Sequence, residues 1–435
     1  MPDRRVTAAA VMALTLLTGL NAAAQPAKPE PALVRLNALA EQAYALNMAD
    51  DHVAAEPALR EVVEGWRALG WGDTEATRAT VLLWAWSLIE LARFDEAETE
   101  LLGITTASDT SAPQLSSVWG LLAKMYSRSG RFQQAEEAAV AALDHTVTAY
   151  GSEHAETATA WHNLGTARGE MGRTTDAVAA LRHAVAMREV LFGAAGEPTL
   201  VSIYNLAAHL HAAGRLEDAE PLLREVLINA EPGSDSHVYA LHHLGFTLSQ
   251  MDRHAEAEPW LRQAVDQRAR MPDRSLEAVS LSALADALGG QGRHSEANAT
   301  YERALTLIEA NDHQGMAMLR SAVLLGVAEN HQAAGRPLEA EAAYRRSVEI
   351  ARASLLGGHP RLMLRELRLA TFLNDEGRGA EALILLRSAN EALLARTRSL
   401  DGGGTRLELD PFRSLFRETV QAAWNTAQPE GEDVR

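Results

Sequence analysis

No cysteine occurs among the 435 residues. That excludes thiolate nucleophiles, thiolate metal sites, disulfides and a lipid anchor on an N-terminal Cys. Lysine is present only at positions 28 and 124, so nearly all of the 40 basic residues are arginine, a bias that carries no functional message by itself. Aromatic residues make up 5%. Basic charge is outnumbered by 58 acidic residues, giving a net charge of −18 and a pI near 5.3. Phosphate backbones and anionic lipid headgroups repel such a surface, which argues against nucleic acid and membrane surfaces as partners. Also missing are a Gly-rich phosphate loop with its Lys, a paired-His zinc helix, a calcium loop, and a strand-turn-helix setting for a nucleophilic Ser. The reading is therefore non-enzymatic, with no cofactor and no metal.

The first residues have the pattern of an export signal. Arg4 and Arg5 supply positive charge, Val6 to Leu20 is apolar or small almost throughout, and Ala22-Ala23-Ala24 offers small residues to a signal peptidase. Cleavage is predicted after Ala24, with a periplasmic or secreted mature protein. The apolar run is shorter than the roughly 20 residues that span a bilayer, and no later stretch reaches that length, so no membrane insertion is expected after cleavage. Residues 25–31, with Pro26, Pro29 and Pro31, form a stiff lead-in.

Internal repetition dominates the rest. A Gly-Arg pair followed four residues later by Ala recurs at Gly130-Arg131/Ala135, Gly172-Arg173/Ala177, Gly214-Arg215/Ala219, Gly292-Arg293/Ala297, Gly335-Arg336/Ala340 and Gly377-Arg378/Ala382. Degenerate copies stand at Asp51/Ala55, Arg93/Ala97 and Asp252-Arg253/Ala257. Thirteen residues before the repeat Ala stands an apolar residue (Leu122, Leu164, Leu206, Leu244, Leu284, Val327, Leu369), each followed by Gly or Ala. The small residue lets a second helix approach closely. The turn Gly suits the left-handed position that ends a helix. Apolar residues then return at helical period, as in Ala219, Leu222, Leu223, Val226 and Leu227. Each unit reads as two antiparallel helices, and no window alternates with the period of a strand.

The segments Trp161-His162-Asn163-Leu164-Gly165 with Ala177 and Ala184, and Tyr204-Asn205-Leu206-Ala207 with Ala219-Glu220-Pro221-Leu222, resemble the tetratricopeptide repeat. The loops Tyr150-Gly151-Ser152-Glu153-His154 and Leu356-Gly357-Gly358-His359-Pro360 point to the longer, kinesin-light-chain-like subtype. The resemblance implies an all-α, right-handed superhelical solenoid of about nine antiparallel helix pairs over residues 32–400. A Gly-rich linker (401–409), a capping helix (410–427) and a disordered tail (428–435) follow. Asp410 and Pro411 suit a helix start, and Phe412, Leu415, Phe416, Val420, Ala423 and Trp424 fall on one face, expected to cover the last repeat.

In such an array the first helices line a concave wall that binds extended segments. Counting from the frame Leu, the residues two before, one before and two after look outward: His162, Asn163 and Thr166, then Tyr204, Asn205 and Ala208, then His242, His243 and Phe246. Asn163 and Asn205 match the Asn that binds ligand backbone in peptide-binding members of the family. An amide suits that role because it carries both donor and acceptor. In later units Ala283 and Gly326 replace it. The absence of a basic cluster argues against acidic ligands. Nine of the 15 His residues lie between 154 and 254. Neighbours such as His242 and His243, or His209 and His211, diverge by about 100° or 200° on a helix, so they read as scattered residues and not as a metal site. Trp66, Trp71, Trp84 and Trp86 cluster early, and one reading is an N-terminal apolar patch. The expected function is an exported scaffold that binds a peptide or partner helix. The alternative is an assembly component that self-associates or docks through its outer face or C-terminal helix.

Overall fold

A computed structural model describes residues 31–107, 109–171, 173–271, 274–310, 316–355, 359–399 and 414–427. The export segment, the lead-in up to residue 30, Gly172, Gly357, Gly358, the 401–409 linker, Asp410 to Phe412 and the 428–435 tail lie outside them. Among the described residues the secondary structure is 19 helices and no strand. Contacts divide the chain into two compact units, Met1–Ser202 and Ile203–Arg435.

The first unit holds α1 (Pro31–Met48), α2 (His52–Ala68), α3 (Glu75–Glu90), α4 (Phe94–Thr105), α5 (Ala112–Arg128), α6 (Phe132–Tyr150), α7 (Ala155–Glu170) and α8 (Thr174–Phe192). The boundary falls within α9 (Glu197–Ala212). The second unit continues with α10 (Leu216–Asn229), α11 (Asp235–Gln250), α12 (His254–Arg268), α13 (Ser275–Gly290), α14 (His294–Ala310), α15 (Met316–Ala333), α16 (Pro337–Ser354), α17 (Pro360–Asp375), α18 (Gly379–Ser399) and α19 (Leu415–Ala427). No described helix is long and apolar enough to cross a membrane.

Each repeat is a helical hairpin closed by the predicted turn. Gly130 has φ +75° and Gly292 +76°, and the amide of the following Arg reaches five residues back, from Arg131 to the Tyr126 carbonyl (2.8 Å) and from Arg293 to that of Leu288 (3.0 Å). The degenerate turns take the same shape without glycine: Ala92 and Asp252 both stand at φ +58°. A Cβ there sits close to the next carbonyl. Ala92→Gly should therefore raise stability by about 0.5–1 kcal/mol, the relieved strain less the extra entropy of Gly in the unfolded chain. The check is a higher urea midpoint at unchanged slope.

Close helix approach is also realised. A Cβ on Gly165 would lie 2.7 Å from Leu181 Cγ, and one on Gly245 2.5 Å from Leu261 Cγ. The frame residues Leu122, Leu164, Leu206 and Leu244 are buried, as are the repeat alanines. In α3 every residue from Ala76 to Ile89 is buried, so the helix has no outward stripe to reveal its orientation. The early tryptophans belong to this interior. Trp66, Trp84 and Trp86 are buried and Trp71 partly so, which removes the N-terminal patch reading. The indole N–H groups of Trp84 and Trp86 donate to Glu56 (3.2 Å) and Glu90 (3.3 Å).

Arginine, silent at the sequence level, holds successive repeats in register. The turn Arg reaches the Glu that follows the previous repeat's Ala: Arg93 to Glu56 (2.9 Å), Arg131 to Glu98 (2.5 Å), Arg173 to Glu136 (2.6 Å), Arg253 to Glu220 (2.6 Å), Arg293 to Glu258 (2.7 Å) and Arg378 to Glu341 (2.7 Å). Most of these arginines also grip an acid three residues on, as Arg253 does Glu256 and Arg293 does Glu296. One planar guanidinium serves both carboxylates, a role the single point charge of Lys fills poorly. The arginines hold Glu98 and Glu220 below the usual carboxylate range. Each pair is partly solvated and contributes at most about 1 kcal/mol, so the ladder sets register more than it adds stability.

The C-terminal helix does pack on the last repeat, but by a different face from the one expected. Leu415 and Ala422 are buried, Asn374 donates to the Glu418 carbonyl (3.1 Å), and Asn390 donates to Thr419 Oγ1 (2.9 Å). Gly379 leaves room for the Ala422 carbonyl, 2.6 Å from where its Cβ would be. These polar contacts set the helix roll. Phe416, Val420, Ala423 and Trp424 consequently face outward, with Phe416 76% and Trp424 63% exposed.

Candidate functional site

The first helices present the outward positions differently in the two units. In the first, α7 carries His162, Asn163 and Thr166, all half-buried. His162 is engaged: its Nδ1 meets Ser202 Oγ at 3.0 Å, and the same Oγ accepts from Arg188 (2.8 Å). Arg188 also donates to the Pro198 carbonyl and to Thr159. Thr166 donates to its own helix at the His162 carbonyl (3.1 Å).

The second unit repeats the His–Ser–Arg bracket and adds to it. His242 Nδ1 lies 3.2 Å from Ser280 Oγ, which accepts from Arg268 (2.7 Å), and Arg268 also donates to the Leu276 carbonyl (2.8 Å). A guanidinium only donates, so the Ser oxygen accepts from it and the Ser hydroxyl is left to donate to imidazole Nδ1. His242 is therefore buried, 6% exposed, and braces neighbouring repeats. Its side chain has no open face, contrary to the outward placement expected from register.

Around it the structure gathers the other predicted residues. The Tyr204 hydroxyl and His243 Nε2 are 2.9 Å apart, and their rings meet edge-on with centroids at 5.1 Å. The His242 and His243 rings also meet edge-on at 5.0 Å, although a helix directs adjacent side chains about 100° apart. Phe246 stacks on His211 at 4.8 Å and lies parallel to His242 at 6.1 Å. His211 in turn bonds Thr247 (2.9 Å). The histidines of this region are thus clustered, not scattered. Tyr204, Asn205, His243 and Phe246 remain half-open.

Electrostatics follow from burial beside a cation. Arg268 is 2% exposed and lies 5.5 Å from the Tyr239 ring. Burial, helped by His211 and Arg268, holds His243 down at about 4 and His242 well below the ordinary histidine value. Burial alone lowers His209 and His211. Burial also pushes the Tyr204 hydroxyl up to about 12. The imidazoles of His211, His242 and His243 are therefore neutral at neutral pH, and Arg268 carries the charge beside them. Among the described residues no three His, Asp or Glu side chains come together as metal ligands.

The outward register continues into the seventh and eighth repeats. The same position two after the frame residue holds Asp286 on α13, half-buried, and Glu329 on α15, exposed. Burial, with Glu329 adding to it, pushes the Asp286 carboxyl up to about 6, and burial raises Glu329. The Tyr301 hydroxyl donates to Asp286. Tyr301 fits because Gly326 stands where Asn163 and Asn205 stand in earlier units; a Cβ there would lie 2.6 Å from the hydroxyl. That exchange of Asn for Gly was the available signal. The buried arginines Arg188 and Arg268 gave none, because their partners are backbone carbonyls and hydroxyls.

A family model described as tetratricopeptide repeat matches residues 114–189, 198–270 and 236–310, and the chain carries that repeat there. No curated protein matches the sequence. Among solved structures, the apo form of the quorum sensor NprR from B. thuringiensis is similar at 12% identity and a TM-score of 0.60, over 82% of this chain and 99% of that one. The apo form of RapI is similar at 13% identity and a TM-score of 0.56, over 88% and 98%. A Podosopora anserina chain named for kinesin light chain, with nearly identical TPR-like repeats, shares 23% identity at a TM-score of 0.39, over 46% and 98%. The likenesses to NprR and RapI concern the all-α repeat fold.

Proposed function

We propose that this protein is an exported, non-enzymatic interaction scaffold whose first-helix walls bind an extended peptide or a partner helix. The observation that carries the reading is the half-open set Tyr204, Asn205, His243 and Phe246. The rings of Tyr204 and His243 meet edge-on and that of Phe246 is stacked on His211, yet these residues stay partly exposed. Rigid aromatic surface beside an amide is suited to a peptide, because little side-chain entropy is lost on binding and the amide satisfies a backbone unit. Export rests on Arg4, Arg5, the Val6 to Leu20 run and the small residues before Gln25.

A specific feature favours a second reading, assembly through α19, since Phe416, Val420 and Trp424 form an exposed stripe at helical spacing. One experiment separates the two. Crosslinking with mass spectrometry in native cells should show a partner on α9 and α11 that is lost in the Asn205→Ala variant. Crosslinks confined to α19 and to other copies, unchanged in that variant, would replace the peptide reading with assembly.

A further inference from the structure

The arginine ladder has a gap where a cavity opens. Between the seventh and eighth repeats the Glu position is Asn298, and its Oδ1 is already occupied by Asn330 Nδ2 at 2.7 Å. Arg336, the turn arginine that would reach it, is exposed and has no carboxylate partner among the described residues. Asn298 and Arg336 both line a recess of about 350 Å3, together with Ser295, Glu302, Val327 and His331. His331 Nδ1 is buried without a hydrogen-bond partner. It stands where five other turns have Leu88, Leu210, Leu248, Leu288 and Leu373, five residues before the turn arginine. An unpaired guanidinium and an orphaned imidazole nitrogen thus share one recess, while Leu305 and Val327 supply apolar surface.

We infer that this recess binds a carboxylate, supplied from outside the chain, in the place that a ladder glutamate fills in six other turns. The repeat itself defines the chemistry. In each intact turn the arginine's Nη atoms hold a carboxylate oxygen at 2.5–2.9 Å. Glu302, one helical turn after Asn298, is the acid already lining the recess; it pairs with no cation among the described residues and opposes an incoming anion. A chain of net charge −18 repels anions in general, so saturable carboxylate binding reports on local chemistry. The site shares no residue with the peptide wall, and its failure would leave that reading intact.

The test is calorimetric titration of the full chain at fixed ionic strength with glutarate, and separately with a blocked Gly-Glu-Gly peptide. Saturation by free glutarate assigns the site to a small carboxylic acid. Saturation by the peptide alone assigns it to an acidic side chain of a partner protein. In either case Arg336→Gln should weaken binding at least tenfold and Glu302→Gln should tighten it. Asn298→Glu should abolish it by restoring the internal carboxylate. Arg336 is exposed, so its variant should keep the wild-type thermal melt, and Asn298→Glu tests the same point by addition. Absence of binding by both probes, or binding that neither Arg336→Gln nor Asn298→Glu alters, overturns the assignment.

Discussion

Replacing Asp286 by Asn should stabilise the protein by up to about 3 kcal/mol at pH 7 and above, while leaving stability near pH 4 almost unchanged. Burial, and secondarily Glu329, pushes this carboxyl up to about 6 from its ordinary 3.8. A carboxyl with a raised folded value is stabilising only while protonated. The penalty is absent below 3.8, grows as pH rises and is complete above about 6. The free-energy equivalent of moving a carboxyl from 3.8 to 6 is about 3 kcal/mol. Asn retains an acceptor for the Tyr301 hydroxyl and carries no charge. Urea melts of wild type and variant from pH 4 to 8 should show a gap that opens between pH 4 and 6 and then levels. A gap independent of pH would show that the ionised form is not the cost. A destabilising charge kept on the outward register of α13 is typical of a surface used for binding, where stability yields to function.

Much of the architecture is legible in the sequence. The recurring Gly-Arg turn, the frame Leu with its small neighbour and the repeat Ala gave nine hairpins, because these positions answer to local geometry: a left-handed turn, a close helix crossing and a buried contact. Orientation within the interior was less accessible. In α3 apolar residues surround the helix, so Trp84 and Trp86 could not be told from an exposed patch. On α19 the apolar stripe suggested one packing face, whereas hydrogen bonds from Asn374 and Asn390 turned the helix to another. The site was half legible for the same reason. Register placed Tyr204, Asn205, His243 and Phe246 on the open wall. It could not place His242, whose burial depends on Ser280 and Arg268, both in later helices. The arginine bias looked empty because its meaning lies in pairs 33 to 37 residues apart, such as Arg131 with Glu98 or Arg173 with Glu136.

Acid should act on the imidazoles of the wall with the opposite sign. His243 is held at about 4, against an ordinary 6.5, by burial and by the positive surroundings of His211 and Arg268; His242 is lowered in the same direction by burial first and then His243. A histidine with a depressed folded value gives its full stability above pH 6.5 and loses it as pH falls toward the folded value, here between 6.5 and 4. The loss assigned to His243 is about 3 kcal/mol. The charged and titratable groups facing the pair are Tyr204 and His211 on α9, Tyr239 on α11 itself and Arg268 on α12. None is a carboxylate that could absorb the new charge. Protonated His242 would also lose its acceptor for the Ser280 hydroxyl, since Arg268 holds the serine oxygen as an acceptor. His243→Gln removes the titration and keeps a hydrogen-bonding partner for Tyr204. The stability difference between wild type and His243→Gln should therefore shift by about 3 kcal/mol in the variant's favour between pH 7 and pH 4. Asp286, which pulls the other way over part of that range, is common to both proteins and cancels. A difference that stays flat with pH would mean that water reaches His243 freely, and that the imidazole–aromatic wall is looser than its packing implies.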